Sequence, residues 1–201
     1  MDTKNHLSII FLDYDPDGIN LTTTQQSLAS IISHTQANYE LVHVKNVKGF
    51  VCAVNEGLRR ATGDYLIVVA NDVMILDSDW VEKMTHDNAL VGWRLTPFFI
   101  TGELRPDFAC WGMSRSVFEA IGYMDEQFKD GYGFDDDDYV FRAREKGFAI
   151  IDGKVTLQHL ESLTYRTVFK AEKEAMTSRN ETLFREKWVK RQPTKALSWV
   201  I

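Results

Sequence analysis

Three short stretches carry the residue types that do chemistry: an acid ending a buried apolar run (VVAND, Asp72), four acids opening a helix (GFDDDDY, 135–138), and a histidine ending a late strand (TLQH, His159). Carboxylates and imidazole are the groups that bind cations and move protons near neutral pH. Glycine-rich phosphate loops are missing. No G-x-x-x-x-G-K-[ST] occurs, and GYG at 131–133 does not extend to a dinucleotide fingerprint, so any phosphate must be held another way.

The elements that position these residues are read from apolar spacing. Residues 7–12 form a short apolar run, and 21–34 switch to helical spacing with Leu28, Ile31 and Ile32 after a threonine-rich start. Residues 39–44 read as a second strand, 50–61 as a second helix closed by Gly63, and 65–70 (YLIVVA) as a third strand with buried-sheet character. Three strand–helix steps predict an α/β fold with a parallel sheet. In such sheets ligands bind beyond the carboxyl ends of the strands, so Asp13 and Tyr14 should share a rim with Asn71 and Asp72.

The second half is less regular. It predicts a helix at 79–85, a strand at 89–95 and a turn-rich stretch through Pro97, Gly102 and Pro106. Ser114 can cap a helix that runs to Ile121 and ends at Gly122, and 135–146 is a helix ending at Gly147. Residues 155–159 read as a strand. Helical spacing over 168–189 (Phe169, Ala175, Leu183, Trp188) predicts a C-terminal helical segment packed on the sheet.

The 201 residues are 44% hydrophobic and 26% charged, which argues for an ordinary globular chain with one core and against disordered or fibrous classes. A net charge of −6 argues against the basic footprint of nucleic-acid binding. Asp13 and Asp15 interrupt the N-terminal apolar run too early for a secretion signal, and no stretch has the length of a bilayer span. Cys52 and Cys110 lack metal-ligand spacing and suit free thiols in a reducing compartment. The sequons at Asn20 and Asn180 then read as chance matches.

Taken in order, GFVCAVNEGLRRATGDYLIVVAND, ACWGMSRSVFEAIGYMDEQF, GFDDDDYVFRAREKGFAI and VTLQH resemble the nucleotide-sugar glycosyltransferases of GT-A fold, family-2-like, over roughly residues 5–190. The short layout is also similar to catalytic modules of large viral or bacterial glycan-building enzymes, rhamnosyltransferases among them. The resemblance implies a Rossmann-like mixed, mainly parallel sheet flanked by helices in a single domain over 1–201. Its nucleotide-binding half would span about 1–95, its donor-sugar and acceptor half about 96–160, and its C-terminal helical segment about 161–201.

The implied activity is inverting transfer of a hexose or deoxyhexose, of glucose or rhamnose type, from a UDP-sugar to a glycan hydroxyl. Mn²⁺ or Mg²⁺ is the implied cofactor. Asp72 stands at the final acid of the family's D-x-D-type metal motif, His159 at its late metal ligand, and Asp135 and Asp136 at its Glu-Asp pair, with Asp136 as base. Trp111, Gly112, Gly131 and Tyr132 fall to the donor sugar and acceptor; Asp13, Tyr14, Lys48, Gly49, Asn55 and Asn71 fall to the nucleotide.

These roles agree with the chemistry. A diphosphate leaving group gains charge as the glycosidic bond breaks, and a divalent ion held by few protein groups keeps positions open for its oxygens. The positive end of a helix dipole favours a carboxylate such as Asp136. Asp138 precedes Arg142 by one helical turn, which assigns it an ion pair. Asp77 and Asp79 (LDSDW) form a second D-x-D string, but they lie past the strand end and suit a helix cap.

Two departures from the family pattern stand out. Ala70 occupies the place of a second acid or Asn, and VHVKN replaces the acid expected after the second strand. They leave two alternatives: a catalytically silent nucleotide- or carbohydrate-binding module, and a metal-dependent hydrolase. The implied partners are a nucleotide-sugar and a glycan acceptor, with no nucleic acid, no membrane span and the oligomeric state open. The implied setting is the cytoplasm, that of the host if the chain is viral.

Overall fold

The computed structural model describes residues 6–98, 102–129, 132–160, 163 and 172–189. The first elements are β1 (Leu7–Asp13), α1 (Leu21–His34), β2 (Tyr39–Lys45), α2 (Phe50–Arg60), β3 (Tyr65–Ala70), β4 (Val73–Ile75) and α3 (Trp80–Met84). Next come β5 (Ala89–Gly92), β6 (Leu95–Pro97), β7 (Leu104–Pro106), β8 (Cys110–Ser114) and α4 (Arg115–Ile121). After a 3₁₀ turn at Glu126–Phe128 follow α5 (Asp135–Glu145), β9 (Ala149–Asp152), β10 (Leu157–His159) and α6 (Lys173–Phe184).

Strands apolar on both faces organise the chain into three layers. β1 sends Leu7, Ile9 and Phe11 to one side and Ile10 and Leu12 to the other, and β3 divides Ile67 and Val69 from Leu66 and Val68. Continuous apolar runs of this kind belong to strands covered on both sides. Ile31, Trp80 and Met84 from α1 and α3 cover one face; Val54, Leu58, Val117 and Tyr139 from α2, α4 and α5 cover the other.

The sheet order is β2-β1-β3-β8-β5-β9. β1 pairs in parallel with β2 and β3, as the strand–helix steps predict, while β8 runs antiparallel to both β3 and β5. The sheet is therefore mixed and mainly parallel. β8 is not legible as a strand in CWGMS, because Trp and Gly break any period-2 pattern and all of its residues are buried. The strand expected at 89–95 stops at Gly92, where a Cβ would lie 2.7 Å from both Arg94 O and Pro106 Cα. The chain turns there and pairs again as the small β6–β7 hairpin.

A second ribbon matters more for the site. β10 pairs antiparallel with β4, placing His159 opposite Val73. The strand expected at 155–159 is thus shorter, and β4, unread in the sequence, is its partner.

The C-terminal segment packs elsewhere than expected. Residues 168–171 of the predicted helix lie outside the described ones, and α6 packs on the aromatic cluster beside α5 instead of lying along the sheet. Phe184 meets Phe98, Phe134 and Phe141 at ring separations of 5.3, 5.6 and 5.2 Å. A π turn at Arg185–Val189 then brings Lys187 Nζ to 2.7 Å from Asp138 Oδ1 and lets Trp188 Nε1 donate to the same oxygen at 2.9 Å. Arg142 Nε donates to the other oxygen at 3.0 Å.

Asp138 is thus a fully buried anchor with two cations, the dull role its spacing predicts enlarged by the C-terminal segment. Removing one partner of such a cluster strands the others. Asp138→Ala should lower the unfolding free energy by about 3–5 kcal/mol, read from urea denaturation at neutral pH.

Candidate active site

A cleft of about 400 Å³ opens at the carboxyl end of the sheet. Asp13, Tyr14, Asn71 and Asp72 all line it, as the strand-end rule predicts. Asp13 Oδ2 lies 2.8 Å from His43 Nε2 of β2, and the buried Asn71 amide donates to Thr24 Oγ1 at 3.0 Å. Gly49 also lines the cleft, with φ of 86° at the start of α2, and a Cβ there would stand 2.9 Å from Lys129 O. Only glycine fits that approach.

Asp72 sits on the turn between β3 and β4 and is 5% exposed. The β4–β10 ribbon delivers His159 to it: Leu160 N–H donates to Asp72 O at 3.0 Å, and His159 Nε2 stands 3.5 Å from Asp72 Oδ1. Leu163 N–H donates to the other carboxylate oxygen at 3.2 Å. A carboxylate and an imidazole this close fit one divalent cation. Among the described residues no group of three or more such donors forms, so Asp72 and His159 are the donors this wall offers an ion.

The opposite wall is the first turn of α5. Phe134 precedes it with φ of 65°, a left-handed conformation rare for a bulky residue, and turns Asp135, Asp136 and Asp137 into the cleft while Asp138 points away. Arg105 of β7 meets them. Its guanidinium ion-pairs with Asp136, and its Nε lies 2.8 Å from Asp137 Oδ1, a charge contact not aligned as a hydrogen bond. Burial opposes the Arg105 charge, but Asp136, Asp137 and Asp107 outweigh it and raise its pKa.

Burial, helped by the neighbouring Asp136 charge, pushes Asp135 up to about 8. The same causes raise Asp137 well above the usual carboxylate range. These carboxyls titrate as a coupled group.

Several expected site residues lie elsewhere. Trp111 is fully buried, stacked on Phe108 at 4.3 Å, and takes no part in the cleft lining; it is a core aromatic rather than a sugar platform. Gly112 faces the sheet interior, where a Cβ would meet Leu66 O at 3.0 Å. Asn55 is also buried, its amide bonding Met124 O at 3.0 Å and accepting from Met124 N at 2.9 Å, which makes it a tie between α2 and the 3₁₀ turn. Lys48 is exposed beside the cleft, outside its lining. Gly131 lies outside the described residues.

Tyr132 does line the cleft, with the Lys173 ammonium 4.5 Å over its ring. Asp77 and Asp79 are both paired with Lys83, at 2.9 and 3.0 Å, away from the cleft. Arg105 was not foreseen. It falls in the turn-rich stretch, where neither periodicity nor a motif marks it, and only the hairpin fold brings it to the acids.

No protein-family model matches the chain, and no curated protein matches it by sequence. Solved structures do match by shape. A Drosophila beta-1,4-galactosyltransferase 7 mutant in complex with manganese, UDP-Gal and xylobiose superposes with a TM-score of 0.58 at 15% identity, over 81% of this chain and 73% of that one. A Pyrobaculum calidifontis mannosyltransferase with GDP-Man and Mn²⁺ gives 0.58 at 14% identity, over 96% and 74%. GalNAc-T7 with UDP, GalNAc and Mn²⁺ gives 0.64 at 11% identity, over 96% and 50%. The fold is therefore that of the GT-A glycosyltransferases.

The raised Asp135 pKa has a sign that can be checked. Below pH 4, near the unfolded-state value, folded and unfolded chains both hold the proton; between there and about 8 only the folded chain does, so its contribution to stability falls as pH rises. Asp135→Asn, which removes the ionisation, should flatten that decline and raise the melting temperature at neutral pH, measured by thermal unfolding from pH 4.5 to 8.5.

Proposed function

We propose that the chain is a metal-dependent glycosyltransferase that moves a hexose or deoxyhexose from a nucleotide-sugar to a glycan hydroxyl with inversion. One observation carries the reading: a carboxylate–imidazole pair, Asp72 and His159, faces a helix-borne run of carboxyls, Asp135 to Asp137, across a single cleft at the carboxyl end of the sheet. The GT-A structures that match in shape hold Mn²⁺ with UDP-Gal, with GDP-Man, or with UDP and GalNAc, which supports the same donor class here.

In this reading the half formed by residues 1–95 holds the nucleotide, with Asp13, Tyr14, Gly49 and Asn71 around the base and ribose. Asp72 and His159 hold a Mn²⁺ or Mg²⁺ ion, which when bound neutralises charge on the diphosphate leaving group. Asp136 orients the acceptor hydroxyl and takes its proton as the hydroxyl oxygen bonds to the anomeric carbon. The bond from that carbon to the diphosphate oxygen breaks with its electron pair on the diphosphate. Glycoside and nucleoside diphosphate leave, and the proton stays on the carboxyl until solvent removes it. Attack from the face opposite the leaving group inverts the anomeric centre.

No helix among the described residues is long and apolar enough to cross a membrane. A cytoplasmic setting belongs to the same proposal, with Cys52 and Cys110 as free thiols.

The test is direct. Incubation with Mn²⁺ and a panel of UDP-, GDP- and dTDP-sugars, with and without a glycan acceptor, should give nucleoside diphosphate release that the acceptor accelerates. Release at full rate without acceptor would make the chain a hydrolase, and donor binding without turnover a silent module. Asp136→Asn should lower kcat by about 10²–10⁴-fold and leave donor affinity intact, by isothermal titration.

A second prediction concerns the ion. Asp72→Ala and His159→Ala should each weaken Mn²⁺-dependent donor binding, and the double variant should cost much less than their sum, since either change breaks the clamp. Asp79→Ala should leave binding unchanged.

A further inference from the structure

We infer that Arg105 is a positioning residue for the transfer step: bridging Asp136 and Asp137 from outside α5, it aims the proton acceptor into the cleft. The inference rests on the glycosyl-transfer reading above. It is carried by geometry. Asp136 is held at both oxygens, Oδ2 by the Arg105 guanidinium and Oδ1 by Asp137 N–H at 3.0 Å. Its direction is therefore fixed before any substrate arrives.

The β6–β7 hairpin is built to place residue 105. On one side Arg94 clamps Asp107 Oδ2 through both Nε and a terminal nitrogen, each at 3.0 Å. On the other, Arg144 of α5 pairs with Glu103 and donates to Leu104 O at 2.7 Å. A three-residue strand flanked by two arginine clamps has little freedom to slide along α5. Both clamps leave Arg105 itself to the cleft.

Charge makes the position consequential. The titratable and charged groups around Asp136 are Asp135 and Asp137 on its own helix, Arg105 and Asp107 from the hairpin side, and Asp13, Asp72 and His159 elsewhere in the cleft lining. Arg142 and Lys187 are engaged with Asp138 on the far side of the helix. Among the described residues lining the cleft, Arg105 is the one arginine or lysine. Asp136 and Asp137 both reach the guanidinium, whereas no ion pair to Asp135 is seen among the described residues. A planar fork can serve two carboxylates at once, and an ammonium cannot do so with the same geometry.

The experiment compares Arg105→Met and Arg105→Lys with the unaltered chain, each checked for a native melting transition. Arg105→Met should lower kcat at neutral pH by about a hundredfold, leave the donor KM within about threefold, and move the acid limb of the kcat profile up by about 1–3 pH units. Arg105→Lys should recover part of both effects, because charge returns without the fork. If Arg105→Met does not fold, the Arg105→Lys profile carries the comparison, with a smaller displacement in the same direction. A second readout needs no turnover: carboxyl ¹³C resonances of aspartate-labelled protein should show the Asp135–Asp137 cluster taking up protons at higher pH in the variants.

An unmoved acid limb together with unmoved carboxyl titrations would overturn the inference and leave Arg105 a structural tie. Loss confined to donor affinity would also overturn it, by making Arg105 a diphosphate ligand. If the unaltered chain turns over no donor, the functional reading fails separately, and the carboxyl titrations still decide whether Arg105 governs the cluster.

Discussion

Carboxylates crowded into a half-buried cleft repel one another and lose hydration, and each must be neutralised, protonated or paired for the chain to fold. Nearly every element around this site answers that constraint. Asp138 goes inward to Arg142, Lys187 and Trp188, which ties the C-terminal segment to α5. Asp107 is clamped by Arg94, Glu103 by Arg144, and Asp136 and Asp137 share Arg105. Asp72 sits beside His159, and a carboxylate next to an imidazole is a donor pair suited to a divalent cation.

The same constraint explains why the two walls come from distant parts of the chain. Acids on one helix turn can be separated only by pointing them different ways, and the left-handed Phe134 rotates the start of α5 so that three face the cleft and one the core. Bringing Asp72 and His159 together needs two backbones in register instead, and the β4–β10 ribbon supplies it. Rigid strands and a helix terminus thus set both groups, with the loops left to shape the rim.

Much of this was legible in the sequence because it rests on burial. YLIVVA can only be a strand covered on both faces, so Asp72 had to sit at its end, and Ser114 and Gly122 bracket α4 as cap chemistry dictates. Trp111, assigned to the donor sugar, fails for a physical reason: an aromatic beside glycine suits a sugar platform or a core stack, and only the unread strand β8 turns it inward onto Phe108. Asn55 misled similarly, since an amide in mid-helix can meet a ligand or a backbone, and here Met124 takes it. Arg105 was invisible because its partners lie in α5 and no local pattern reports a contact between a hairpin and a remote helix.

The rim at the ends of β1 and β2 shows the limit of reading by pattern in another way. VHVKN lacks the acid expected after β2, and taken alone it removes a recognition group. In the fold His43 of that segment instead reaches Asp13 of β1, with its ring 5.4 Å from Phe11. The carboxylate at this rim comes from the neighbouring strand, and the histidine fixes one of its oxygens while the aromatic contact holds the imidazole. The carboxylate of Asp13 thus lines the cleft together with Asn71 and Tyr14. The parallel register that sets Asp13 across from Lys45 and Phe11 across from His43 makes the exchange feasible, because adjacent strand ends open onto the same rim.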